Sequence, residues 1–547
     1  MGILSVVEDR PTPRAVYNWR VYYCASVAAF CAVMIGYDSA FIGGSIALAS
    51  FKTEFHWAKY SLAKQNLISA NIVSLYQAGA FFGAISAYVA GHFLGRKKGL
   101  QLYAAVFILG AGLMLGVNGA RGFGLLYGGR VLAGFGVGGA SNLTPIYISE
   151  ISPPAIRGRL VGLYELGWQI GGLVGFWINY GVSLHMKPNH TQWLVPFAVQ
   201  LIPAGIMFLG LFFIKESPRW LMSKGQRELG LRNLEWIRNL SAEELYMIEE
   251  VAAIDTAINQ QAAGGGLGFW QPFRAVGSDR KVQWRFFLGT TLFFWQNASG
   301  INAINYYSPT VFKSIGITGT NTGLLTTGIF GVIKTTFTFG WLFFLIDNMG
   351  RRNLLMVGAT GGSICLWIVG SYIAIADPAH HVTKTLPPGG IAAMFFFYLW
   401  TAFYTPSWNG TPWVYNSEMY PQNVRTLGQA AAAASNWFWN FIVSRFTPQA
   451  FTAMGYGFYF LFAALMICSV VFIWFLLPET KGIPLEAMDR LFSRGHSARA
   501  AHKIVMEELH RDEAEFRQNF KGEVENGSHA GYMAEKHHAS HFETTSV

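Results

Sequence analysis

Long apolar blocks, each near the roughly 20 residues that an α-helix needs to cross a bilayer, alternate with short polar connections along this chain. Twelve such blocks begin near residues 21, 66, 99, 123, 160, 192, 286, 321, 353, 390, 427 and 455. The pattern predicts an all-α membrane protein with twelve transmembrane helices. One long connection breaks the rhythm, over residues 215–284. It contains the amphipathic stretches Gln226–Asn239 and Ser241–Asn259, then the joint Gly264-Gly265-Gly266, and is read as a helical linker. The expected layout is an N-terminal segment over 1–20, a first half over 21–214, the linker over 215–284, a second half over 285–477 and a tail over 478–547. The tail reads as one amphipathic helix from Lys481, giving way to disorder after about His510.

Charge orients this layout. Only 13% of the 547 residues are charged, about half the usual share in soluble domains. Arg96-Lys97-Lys98, Arg157, Arg159, the linker, Arg351-Arg352 and Arg425 fall on one side, whereas Val117–Gly122 and Ser183–Gln192 on the other are weakly basic. The positive side faces the cytoplasm, so both termini are expected there, with the net charge of +10 beside anionic lipid. The bilayer is the implied partner and nucleic acid is not. The first 19 residues are polar and show no cleavable signal. Asn189-His190-Thr191 is an N-glycosylation sequon on the outer side. Cys24, Cys31, Cys365 and Cys468 all lie in apolar blocks, which predicts small buried side chains, without a disulfide framework or metal site. No spacing among His529, His537, His538 and His541 suits a tetrahedral metal, and no cofactor is implied.

Candidate chemistry lies in three charges inside the apolar blocks: Asp38, Glu165 and Lys334. A charge at mid-span costs at least ~3 kcal/mol, so such residues face the bundle interior and mark ion or substrate paths. The pattern is that of a transporter. No phosphate-binding loop, nucleophile elbow or metal cluster points to an enzyme.

The chain also repeats itself at a spacing of 255 to 268 residues. Gly95-Arg96-Lys97 returns as Gly350-Arg351-Arg352. Pro145–Glu150 with Arg157 returns as Pro412–Glu418 with Arg425, and Glu216–Arg219 returns in looser form as Pro478–Gly482. Duplicated halves that rock about a midplane site are a common transporter plan. Topology-setting charge explains the Arg residues of these phrases but not their Glu partners, which suit an inner gate that locks the halves together when the site faces outward.

These phrases, with Gly36-Tyr37-Asp38, Gly129-Arg130, Gln296, Ser299–Asn302, Asp347–Arg352 and Asn436-Trp437, resemble the sugar porter family of the major facilitator superfamily over about Asn18–Leu491. Val7–Arg14 and Tyr164–Tyr180 carry a closer likeness to its fungal quinate-transporting members. The resemblance implies a major facilitator fold at the plasma membrane. It implies Asp38 as proton acceptor with Arg130 as partner. Arg⁺ keeps the carboxylate ionised, and its departure favours the protonated form. Gln296, Asn297, Asn302, Asn436 and Asn440 would line the substrate site, with Trp413 stacking on the ring. Glu150, Arg157, Arg159, Glu216, Arg219, Asp347, Arg351, Glu418 and Arg425 would form the inner gate.

Three departures change the picture. His92 stands where the family usually has Asp. Glu165, with Gln169 one turn later, replaces the family's Gln, and Lys334 replaces an Asn common in the family. A Lys and a Glu suit a neutral hexose poorly. The preferred expectation is proton-coupled uptake of a cyclic polyhydroxy acid such as quinate, with Glu165 pairing Lys334 in the empty site. The alternatives are a proton symporter of a neutral hexose or pentose, and a nutrient receptor that does not transport.

Overall fold

The computed structural model describes residues 12–525 apart from 154–155, 264–267, 318, 346–348, 379–380, 382–386, 422, 482, 484–487 and 493–496. The side chains of Arg159 and of the last part of the tail also lie outside the description. Among the described residues every regular element is helical. The first six long helices are α1 Trp19–Ala47, α2 Leu62–Phe93, α3 Arg96–Leu115, α4 Gly124–Ile151, α5 Arg157–His185 and α6 His190–Phe213. The connection holds α7 Pro218–Ser223, α8 Arg227–Arg238, α9 Leu245–Ala263 and α10 Gln271–Ser278. Then come α11 Arg280–Asn297, α12 Ile301–Ser314, α13 Thr320–Gly340, α14 Arg351–Ala376, α15 Pro388–Tyr404, α16 Thr411–Met419, α17 Arg425–Met454, α18 Gly457–Leu476 and the tail helix α19 Ala498–Glu525.

Each of the twelve apolar blocks overlaps a helix. By length and hydropathy alone, seven helical segments among the described residues qualify as membrane spans: Arg14–Ala47, α2, α3, α4, α6, α14 and α18. Polar residues such as Glu165, Gln169 and Asn179 in α5, or Gln296 and Asn297 in α11, explain why several others do not stand out.

Buried apolar side chains form two large cores. One is built mainly from Val21–Ile237 and the other mainly from Leu288–Val505. Tyr306, Leu324 and Trp437 join the first core, while Ala40 and Phe176 join the second, so the bundles interlock along their seam. Small residues permit this closeness. A Cβ at Gly36 would strike the backbone of Trp168 on α5, and one at Gly43 would strike the backbone of Tyr306 on α12.

The connection is anchored to the first bundle. Asn18 donates to the Ile237 carbonyl at 2.9 Å, and Arg20 to that of Trp236 at 3.0 Å. Arg238 is buried between Glu250, at 2.6 and 2.8 Å, and the Ile151 carbonyl at 2.7 Å. The predicted helical stretches are thus present; the triple-glycine joint lies outside the described residues.

Two expectations need correction. Helix α19 continues to Glu525, well past His510, because Ala501 and Val505 give its first turns an apolar face seated in the second core. The His-rich end beyond it lies outside the described residues. Cys468 is exposed, because it falls on the face of α18 turned away from the bundle; Cys24, Cys31 and Cys365 are buried as expected.

Candidate transport site

Asp38 sits on α1 and Arg130 on α4, and neither has any solvent exposure. An Arg130 Nη1 hydrogen donates to Asp38 Oδ1. The guanidinium is further fixed by a 2.9 Å bond from Nε to the Ile72 carbonyl and by stacking 4.4 Å over the Tyr76 ring. Asp38 Oδ2 and Arg130 Nη2 have no hydrogen-bond partner among the described residues. A buried charge pair with one unsatisfied atom on each side is poorly compensated, and removing one member typically costs ~3–5 kcal/mol. The arrangement is held by the surrounding packing.

Next to this pair, Gly36, Ser39, Trp168, Gln169, Asn305 and Lys334 border a small central cavity of about 20 Å³. That is room for little more than one water, so the site is collapsed in this conformation. Among the described residues no carboxylate comes within ion-pair distance of the Lys334 ammonium. The expected Glu165–Lys334 pair is thus not made as a direct contact, although the two charges lie near enough to interact. Glu165 Oε1 instead accepts from Gln169 Nε2 at 2.9 Å on its own helix and from Asn409 Nδ2 at 2.5 Å across the seam. Asn409 reaches it because the Thr405–Asn409 segment, containing Pro406, leaves regular α geometry for a π turn between α15 and α16.

That break also explains Gln296. Its amide donates to the Trp408 and Asn409 carbonyls at 2.7 and 2.9 Å, so its N–H groups hold the broken helix in this conformation. The other amides form a chain on the facing helices. Asn302 donates to Asn297 Oδ1 at 2.5 Å, and Asn297 donates to Asn436 Oδ1 at 3.1 Å. Asn440 donates to the Tyr306 hydroxyl at 3.3 Å, leaving its own carbonyl oxygen unpartnered among the described residues. Trp413 packs edge-on against Phe293 at 4.6 Å.

Sequence reasoning missed Asn305, Asn409 and the stacked pair Trp168–Trp437, whose rings lie 6.4 Å apart at 17° across the seam. Pro406 and Pro412 around Asn409 were a usable sign of a broken helix. The Trp pair has no comparable signature.

At the linker end the repeated phrases become repeated geometry. Arg96 makes a two-pronged contact with Glu150 at 2.7 and 2.9 Å, and Ser217 donates to Glu150 at 2.5 Å. Arg351 pairs Glu418 at 2.8 Å, and Thr480 donates to Glu418 at 2.7 Å. Glu216 accepts the N–H groups of Arg96 and Lys97 at 3.0 Å, capping α3, as Glu479 accepts those of Arg351 and Arg352 at 2.9 Å, capping α14. Gly95 and Gly350, at φ of 88° and 81°, make both turns, and a Cβ at either would crowd the capping carboxylate. These contacts lie within each bundle. Arg425 donates to the Tyr420 carbonyl at 3.3 Å, and Arg157 and Arg219 are exposed. Asp347 lies outside the described residues, as does the Arg159 side chain. His92 meets Lys224 Nζ at 3.0 Å.

The opposite end is shut. Ser183 donates to Asn321 at 2.6 Å and Asn66 to Thr452 at 2.9 Å, both across the seam. There the partly buried Glu54 accepts from Trp193 Nε1 at 2.7 Å, from the Gly119 N–H at 3.2 Å and from His190 at 2.9 Å. Burial works against the Glu54 carboxylate, but those hydrogen bonds outweigh it and hold its pKa below the ordinary 4.5. Asn189 is exposed and caps α6 by accepting the Gln192 N–H at 3.2 Å.

A helical fold with two interlocked bundles, charges buried at the seam and one end closed defines a membrane transporter. The chain belongs to the family described as sugar (and other) transporter, which matches residues 24–492. It is 64% identical over 531 residues to a probable quinate permease of Aspergillus niger, covering 96% of this chain and 98% of that one. A probable quinate permease of Aspergillus terreus is 66% identical over 518 residues, covering 94% and 95%. Among solved structures it resembles the proton:xylose symporter XylE bound to 6-bromo-6-deoxy-D-glucose, at a TM-score of 0.71 and 28% identity over 87% of this chain and 99% of that one. It also resembles a partially occluded, inward-open conformation of the E. coli xylose transporter XylE, at a TM-score of 0.70 and 27% identity over 85% and 100%.

Proposed function

We propose that the protein is a proton-coupled secondary transporter that imports a cyclic polyhydroxy acid, quinate foremost, by alternating access. In this reading twelve spans form two six-helix halves over 21–214 and 285–477. The linker and both termini are on the cytoplasmic side of the plasma membrane, and the state described here faces inward. Asp38 takes up the proton and Arg130 governs when it can. Parting of the halves frees the amides of Gln296, Asn297, Asn302, Asn436 and Asn440 for the hydroxyls of the substrate, with Gln169 and Glu165 on the opposite wall and Trp413 beside the ring.

The observation that carries the acid is Lys334. Its ammonium is buried beside the central cavity, with Glu165 near enough to interact but no carboxylate in ion-pair contact among the described residues. A desolvated cation needs a counter-charge, and an anionic substrate supplies one. The names of the close relatives support the same substrate.

The test is competition for uptake by quinate and its carboxamide in wild type and Lys334→Asn. Quinate should win by more than tenfold in the wild type and lose that advantage in the variant, and a protonophore should abolish accumulation. Equal potency of the two ligands in the wild type would overturn the carboxylate–lysine reading. A second reading, a proton symporter of a neutral hexose or pentose, draws on the likeness to XylE. Labelled glucose or xylose accumulating faster than quinate would establish it.

A further inference from the structure

A second cavity, of about 230 Å³, lies at the linker end where α2, α4, the linker and α17 meet. Arg96, Arg219, Lys224 and Arg425 line it, and Glu150 is the sole carboxylate among its lining residues. Both Glu150 oxygens are already engaged by Arg96 and Ser217. His92 adds no negative charge where an Asp would, and instead touches Lys224. Burial, with Arg96 close by, holds the Lys224 ammonium below the ordinary lysine range, as an excess of positive field would.

We propose that this cavity is an anion-binding site for a phosphate monoester group, and that its occupancy holds the transporter in the conformation seen here. Arg96, Arg219, Lys224 and Arg425 against Glu150 leave three positive charges, most of which the −1.5 to −2 of such a group at neutral pH would offset. A single carboxylate would offset only one of the three. Guanidinium forks and an ammonium are suited to phosphate oxygens. The cations come from the first bundle, the linker and the second bundle, so one oxyanion between them fills space that must close when the halves come together and the site turns outward. A ligand that prefers one state shifts the equilibrium by its differential affinity. The group could arrive on a soluble ester or on a lipid headgroup, and the chemistry at the cavity is the same.

The experiment uses the full chain in phosphatidylcholine nanodiscs, with thermal unfolding as readout, so it stands or falls independently of the quinate reading. Glycerol 1-phosphate should raise the unfolding midpoint by several degrees at constant ionic strength, with chloride and quinate giving no comparable rise. Arg219→Gln with Lys224→Gln, and separately His92→Asp, should each weaken the apparent affinity at least tenfold. A parallel arm replaces the soluble ester with discs containing phosphatidic acid. A variant-sensitive rise there, without one from the ester, assigns the source to lipid and supports the site. Stabilisation by chloride or quinate equal to that by the ester overturns the proposal. So does a rise that survives in all the variants, or no rise in either arm.

Discussion

Arg130 and Asp38 lie 92 positions apart and meet with no solvent exposure, the guanidinium clamped between the Asp38 carboxylate, the Ile72 carbonyl and the Tyr76 ring. Every contact except the ion pair belongs to the first bundle's α2 and α4, so a small displacement of α1 changes the pair without disturbing the Arg130 seat. In the transport reading, that displacement is what admits a proton to Asp38. Asp38→Asn keeps the shape and mimics the protonated acid. It should abolish protonophore-sensitive accumulation while counterflow exchange keeps a substantial fraction of its rate. Continued accumulation against a gradient by the Asn variant would remove Asp38 from the coupling role.

The Arg96–Glu150 and Arg351–Glu418 pairs sit at matching places in the two bundles, each partly exposed. A Gln in place of either carboxylate keeps its shape and its hydrogen bond from Ser217 or Thr480, so Glu150→Gln or Glu418→Gln alone should change transport less than threefold. The double variant should lower it more than tenfold and increase labelling of cysteines introduced in the linker-end cavity. Unchanged labelling in the double variant would count against a locking role for these carboxylates.

Glu54 ties together three connections at the end opposite the linker through Trp193, His190 and the Gly119 N–H. Its folded pKa is depressed, so its stabilisation is fully present above the ordinary carboxylate value and disappears as pH falls through the folded one. The unfolding midpoint of wild type should therefore exceed that of Glu54→Gln at pH 6, with the gap closing as pH is lowered from 5 towards 3. A gap independent of pH would show that the hydrogen bonds work without the charge.

The amino-acid sequence determined the helices, the linker and the places where charge enters apolar blocks. Each follows from local arithmetic: the length needed to bury a span, the cost of an isolated charge in it, and the need for glycine at Gly95 and Gly350. The repeated Glu residues were read as gate partners, whereas Glu216 and Glu479 cap α3 and α14 within their own bundles. Only the tertiary structure decided which polar groups meet. Glu165 was expected to pair Lys334, yet it takes Asn409, because a π turn in a distant helix swings that amide across the seam. Partner choice depends on the rotation and crossing of helices packed through small residues. A shift of one residue on a helix turns a side chain by about 100°, and nothing local in the sequence fixes that angle.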